Sequence, residues 1–230
     1  MDQDELFNVH TENSTLENVY AASAGYPGLK NGSQDVSINS TADAFFGPRD
    51  KVSVSDWSPS ASNHRTDQWG GFLDNRVRFA AEVAKAIAKK IGPHKVGFRM
   101  SPFGVFNGMQ SDPHTEDLFE LLAGELQKIG ILYVHVVDHS CMGAPEVKPS
   151  VKRKIRDSFK NIVILSGGYD AKQAEHDLSE KKGDLFAFGR PFISNPHLVS
   201  KLKNKKPLLA ADQKSFYTAD EKGYTDYPLD

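Results

Sequence analysis

The chain has 230 residues, a formal net charge of −2 from 28 Lys and Arg against 30 Asp and Glu, and 10% aromatic residues. That size suits one domain or a domain with a tail, and the mixed, nearly balanced charge argues against nucleic acid as the partner. A single cysteine, Cys141, excludes an intramolecular disulfide and suits a reducing, cytoplasmic setting.

No apolar run approaches the roughly 18 residues of a membrane-spanning helix, so no membrane partner is expected. The acidic start Met1-Asp2-Gln3-Asp4-Glu5 lacks the apolar core of a secretory leader. Residues 1–57 are rich in Ser, Asn, Thr and Gly and keep no sustained period, which predicts an irregular N-terminal segment. Leu16, Val19 and Tyr20 share a short helical face, and Val52 and Val54 alternate with serines as in a short strand. The Asn13, Asn31 and Asn39 acceptor patterns are the chance products of such a composition.

Strand and helix patterns alternate over 58–230. Val77, Ala80, Ala84, Ile87 and Ile91 recur at spacings of 3 and 4, as on one face of a helix, and Gly92-Pro93 stops the run. Val96–Met100 reads as a strand. Leu118, Leu121, Leu122, Leu126 and Ile129 form a second helical stripe ended by Gly130. Ile131–Val137 is a β-branched strand, and Pro149–Phe159 a basic helix whose Lys152, Arg153, Lys154 and Arg156 suit a solvated outer face. Strand 162–165, a polar helix near 171–180, strand 185–188 and a helix after Asn195-Pro196 with Leu198, Val199 and Leu202 as its apolar face complete the series. The result is four βα units, α/β in class, at parallel-crossover spacing. Periodicity leaves open whether they form half of a (β/α)8 barrel or a small doubly wound sheet.

Two apolar runs stop at glycine about twenty residues apart: Ile162–Leu165 before Ser166-Gly167-Gly168, and Leu185–Phe188 before Gly189-Arg190-Pro191. Glycines at buried strand ends let the backbone approach a ligand closely, with N–H groups aimed at an anion. In a (β/α)8 barrel the loops after the last two strands form the usual phosphate site. A phosphorylated ligand is therefore expected there, with Arg190 placed to pair with it. His135, Asp138 and His139 raise the thought of a metal, but a His on a buried strand is more often a satisfied core residue, and no metal ligand is assigned.

From Ser58 onward the chain resembles the C-terminal half of the Old Yellow Enzyme family, which includes the plant 12-oxophytodienoate reductases. The resemblance rests on Ser58–Gly71 (with Asn63-His64-Arg65-Thr66-Asp67), Asp74–Phe79, Val96–Pro102, Ser166–Gly168, Phe188–Pro196, Phe216-Tyr217-Thr218 and Gly223–Pro228, in that order and spacing. It implies a (β/α)8 TIM barrel with FMN at its C-terminal mouth, NADPH or NADH as reductant, and a small α,β-unsaturated carbonyl as hydride acceptor. Carried over residue by residue, Arg99 matches the arginine beside the flavin, whose cation stabilises negative charge on the reduced ring. Gly167, Gly168, Gly189 and Arg190 match the phosphate binders, where a planar fork favours Arg over Lys. Tyr217 matches an aromatic residue at the substrate pocket. His64 and Asp67 look architectural, in a loop tied down by polar contacts.

The chain also departs from the family pattern. The family's first four strands should precede Ser58, yet residues 1–57 do not resemble them. The strand just before Ser58 should carry the His, Asn or second His, and Tyr that clamp the carbonyl and supply a proton. Here that stretch is Lys51-Val52-Ser53-Val54-Ser55-Asp56-Trp57, so no catalytic residue is assigned. Four barrel strands leave two edges and one apolar face to be covered, which predicts a homodimer that completes the barrel. The alternatives are a truncated, non-catalytic remnant that needs a partner, and a phosphosugar enzyme sharing only the phosphate site.

Overall fold

The computed structural model describes residues 63–105, 112–216, 221–223 and 225–228. The expectations for residues 1–57, including their separation from 58–230, lie outside the described residues. The elements in chain order are α1 (Leu73–Ile91), β1 (Gly97–Met100), α2 (Thr115–Ile129), β2 (Tyr133–Val137), α3 (Pro149–Ser158), β3 (Ile162–Ser166), α4 (Ala171–Ser179), β4 (Leu185–Ala187), α5 (Arg190–Ser194) and α6 (Leu198–Lys203).

All strand pairs are parallel, and the sheet order is β1-β2-β3-β4. That order settles what periodicity left open. Each crossover moves one strand in the same direction, and right-handed crossovers of one direction place every helix on one face. A doubly wound sheet would reverse direction and place helices on both faces. The four units are consecutive staves of a barrel.

Strand alternation sorts the side chains. Met100, Val134, Val136, Val163 and Leu165 face the helices and are buried against Val77, Ala80 and Ala84 of α1, Leu118, Leu122 and Leu126 of α2, and Val151 and Ile155 of α3. The opposite face carries Gly97, Arg99, Tyr133, His135, Ile162, Ile164 and Leu185, and Leu185 is 53% exposed. Gly97 is required where it stands: a Cβ there would overlap the Tyr133 ring.

Several local expectations are met by recognisable devices. Gly130 adopts the left-handed conformation (φ 79°) and returns its N–H to the carbonyls of Leu126 and Gln127, ending α2. The Asp170 side chain caps α4 through the Gln173 N–H at 2.7 Å. Two expectations change. The basic face of α3 is not simply solvated: Lys154 reaches Asp117 at 2.9 Å and Glu120 at 3.1 Å, and Arg156 reaches Asp184 at 2.6 Å. Packing of α3 on α2 brings Lys154 to its two acids, Asp184 meets Arg156 from just ahead of β4, and Arg153 alone of the four is exposed. On α6, Leu198 is buried but Val199 is 67% exposed, because the helix is six residues long and only one edge of it reaches the core.

Candidate anion and cofactor site

The residues assigned from sequence gather at one end of the sheet. Arg99 is in the last two residues of β1, Gly167 and Gly168 follow β3 directly, and Gly189 and Arg190 follow β4. Tyr217 lies outside the described residues. The C-terminal ends of parallel strands share one rim, so residues far apart in sequence meet there.

Gly167 has φ +128° and Gly168 φ +72°, conformations that disfavour a side chain. A Cβ on Gly167 would overlap the carbonyl oxygen of Asp138, so the turn after β3 sits directly on the loop after β2. At Gly189 a Cβ would meet nothing within 4 Å, leaving backbone open to a ligand. Arg190 reaches across the rim, its Nη2 donating to Cys141 Sγ at 2.7 Å. The loops after β2, β3 and β4 thus converge.

The inner face supplies a second group. Arg99 and His135 are partners in the β1–β2 register, and Arg99 is exposed. His135 Nε2 lies 2.8 Å from Ser166 Oγ, so the ring is satisfied as expected from sequence, but it stands half-buried on the face opposite the helices and not in the core. Burial first, and then the Arg99 cation, push the His135 ring down to about 4. The ring is neutral at physiological pH. His139, whose Nε2 is 3.3 Å from Ser101 Oγ, is also pushed down, by burial and then by Arg99 and Arg190, with Asp138 opposing.

This depression carries a stability consequence with a definite sign. The unfolded His135 ring takes up a proton near the ordinary 6.5, whereas the folded ring does so near 4. Between those values the unfolded state binds more protons, so stability falls as pH drops through that window and is unaffected above it. His139 acts in the same direction. The urea midpoint is expected to fall from pH 7 to pH 4.5, and His135→Gln to flatten part of that slope. An unchanged slope in the variant would remove His135 from this role.

Asp138 and Tyr169 were not assigned to the site from sequence, yet both brace it. Asp138 is 4% exposed and lies one residue beyond β2. Burial pushes its carboxyl up, but hydrogen bonds from Ser140 and Lys152 and the Lys152 charge outweigh burial and hold it below the ordinary carboxylate range. Tyr169 follows the glycine turn. Its ring packs edge-on against Phe186 at 4.9 Å between centroids, and its hydroxyl donates to Asp177 at 3.0 Å. The apolar-to-acid step at Val137-Asp138 was the available signal for the first; Tyr169 has none, since its partners are set by packing. Further along, the Asn195 side chain donates to Leu209 O at 2.9 Å and accepts from Leu209 N–H at 2.9 Å, stapling the C-terminal segment beside α5. Asn63 and Asn75 tie down the 63–71 loop through the carbonyls of Trp69, Asp67 and Gly70, the architectural role expected of that stretch. Among the described residues, no cluster of three or more His, Cys, Asp or Glu is arranged to hold a metal ion.

Comparison with known proteins agrees with this geometry. A model of the NADH:flavin oxidoreductase / NADH oxidase family matches residues 57–208. The chain is 38% identical over 170 residues to 12-oxophytodienoate reductase 2 of Arabidopsis thaliana, covering 72% of this chain and 45% of that protein. It is 37% identical over 182 residues to chanoclavine-I aldehyde reductase of Penicillium roqueforti, covering 76% and 49%. The solved structure of morphinone reductase superposes with a TM-score of 0.72 at 37% identity, over 76% of this chain and 47% of that one. A complex of morphinone reductase with tetrahydroNAD gives 0.72 at 30% identity. The chain spans about half the length of the curated relatives it matches. It carries part of a TIM barrel and belongs to the NADH:flavin oxidoreductase / NADH oxidase family, the family of Old Yellow Enzyme.

Proposed function

We propose that this chain binds FMN at the rim formed by the loops after β1, β3 and β4, and serves an ene-reductase-type oxidoreductase reaction. The observation that carries this is the convergence at one rim of a positive-φ glycine pair, an open glycine and two arginines. The donor set suits the group: backbone N–H groups of Gly167, Gly168 and Gly189 and the fork of Arg190 match a phosphate, and Arg99 offers a cation for the ring. FMN, when bound, supplies hydride transfer from NADPH or NADH to an activated alkene such as an α,β-unsaturated carbonyl.

The chain's own residues have separable tasks. Gly167 lets the turn after β3 close onto Asp138, where a side chain would collide, and the positive φ of Gly167 and Gly168 shapes a turn whose N–H groups can serve an anion. Arg190 neutralises phosphate charge. Arg99, exposed near the end of β1, would supply a cation for negative charge developing on a bound ring. His135 stays neutral beside it and so adds no second positive charge. Tyr217 is proposed at the substrate pocket. Residues 51–57 contain no His, Asn or Tyr, so protonation and clamping of a carbonyl are not assigned to this stretch.

A second reading concerns assembly. Among the described residues the sheet ends at β1 and β4, and Leu185 and Phe192 beside β4 are 53% and 44% exposed. Two copies placing β4 of one beside β1 of the other would close eight staves. One experiment addresses both readings: titrate purified protein with FMN, read visible absorption and quenching of flavin fluorescence, and measure mass by light scattering on the same samples. A resolved flavin band and a dimer mass are expected, followed by NADPH or NADH oxidation with an enone. No binding at high micromolar FMN would overturn the cofactor reading, and a monomer mass would overturn the assembly.

A further inference from the structure

We infer that Asp138 is a positioning residue for the anion site, holding the loop after β2 against the glycine turn and Arg190 so that the guanidinium is set for a phosphate. The inference rests on the reading that this rim takes the FMN phosphate.

The Asp138 carboxylate gathers three donors. Its Oδ1 accepts the Ser140 N–H at 3.0 Å, and its Oδ2 accepts the Val147 N–H at 3.2 Å and the Lys152 ammonium at 3.1 Å. These bonds pin both ends of the loop to one point. The main chain of the same residue is wedged against β3. Its N–H donates to the Ser166 carbonyl at 2.9 Å, and its own carbonyl oxygen occupies the space a Cβ on Gly167 would need.

The loop so held touches every other strand end at the rim. His139 meets Ser101 beyond β1 at 3.3 Å, and Cys141 meets Arg190 beyond β4 at 2.7 Å. The Cys141 Cβ lies 3.6 Å from where a Cβ on Gly168 would stand. Displacing the loop therefore moves the surface against which Arg190 rests. Charge fits the same role. A carboxylate beside a phosphate site would repel the dianion, but Lys152, reaching in from α3, neutralises it. The pair couples the helix layer to the rim without opposing an anion.

Asp138→Asn tests this, because an amide nitrogen in place of either oxygen faces a donor: the Ser140 N–H at Oδ1, or the Val147 N–H and Lys152 at Oδ2. Dissociation constants for FMN and for riboflavin, which lacks the phosphate, would be measured by flavin fluorescence. FMN affinity is expected to fall about tenfold, the loss for one misplaced charge-assisted hydrogen bond, with riboflavin affinity unchanged. A parallel fall in both, or no fall, overturns the proposal and leaves Asp138 a purely structural residue. Should Asp138→Asn not fold, Lys152→Met keeps the carboxylate and removes its counter-charge. It is expected to lower the FMN-to-riboflavin preference, and Lys152→Arg to restore it; an unchanged preference in Lys152→Met overturns the proposal.

A readout independent of flavin separates this from the cofactor reading. Cys141 is the chain's single cysteine, so its alkylation by iodoacetamide reports the loop. If the wild type binds no flavin, the FMN reading fails and the phosphate role of Asp138 falls with it, while the alkylation rate separately decides whether Asp138 holds the loop against Arg190. A severalfold change in Asp138→Asn supports the held loop, and an unchanged rate overturns it.

Discussion

Arg190→Ala is expected to weaken FMN binding by about 10- to 150-fold, the equivalent of roughly 1.5–3 kcal/mol for a hydrogen-bonded charge. Riboflavin affinity is expected to stay unchanged. The reasoning starts from position. Arg190 opens α5 immediately after Gly189, so its guanidinium and the glycine backbone face the same rim. In the free protein it rests on Cys141 Sγ, a weak acceptor that a phosphate oxygen readily replaces. Arg190→Lys is expected to recover only part of the loss, because an ammonium cannot present two parallel N–H groups to one phosphate. Paired fluorescence titrations with FMN and riboflavin check this. Equal losses for both ligands would mean that Arg190 supports the fold of the rim and does not touch a phosphate.

Arg76→Ala is expected to lower the stability of the described barrel segment by about 3–5 kcal/mol, the usual result of removing one partner from a buried ion pair. The side chains of Arg76 in α1 and Asp112 ahead of α2 are 4% and 3% exposed and paired through Nη2 and Oδ2. Asp112 also starts α2. Its Oδ1 accepts the His114 N–H at 2.8 Å, and its carbonyl accepts from the Thr115 N–H and hydroxyl at 3.1 and 2.6 Å. Loss of Arg76 leaves that carboxylate buried without its counter-charge and loosens the start of the helix that covers β1 and β2. The urea midpoint is the measurement. A joint Arg76→Met, Asp112→Asn change is expected to recover much of the loss, since it removes both charges together. A single-variant midpoint near wild type would show that water reaches the pair.

These two residues differ in how far they could be read in advance. Arg190 follows an apolar run that stops at glycine, and such a stop is a local signal with a local cause. Arg76 sits inside a helical pattern, and nothing near it in sequence announces Asp112, 36 positions away. The same division runs through the molecule. Helix stripes, strand runs and the Gly130 stop were legible because periodicity and positive-φ turns are properties of a few neighbouring residues. The ends of β3 and β4, and with them Gly167, Gly168, Gly189 and Arg190, were read from the same kind of local signal, whereas Arg99 was assigned only through the family resemblance.

The chain's order of residues therefore determined its four βα units, the glycine-marked ends of β3 and β4 and the chemical character of the rim beside them. Periodicity could not tell that the units lie side by side in one direction, since strand adjacency depends on pairing across long loops; the family resemblance implied barrel staves, and the sheet order β1-β2-β3-β4 shows them. Tertiary structure alone decided that three of the four basic residues of α3 pair with acids, one of them with the buried Asp138, and that Cys141 meets Arg190 across 49 positions. Those contacts arise where separate strand ends share a rim, and no spacing along the chain encodes them.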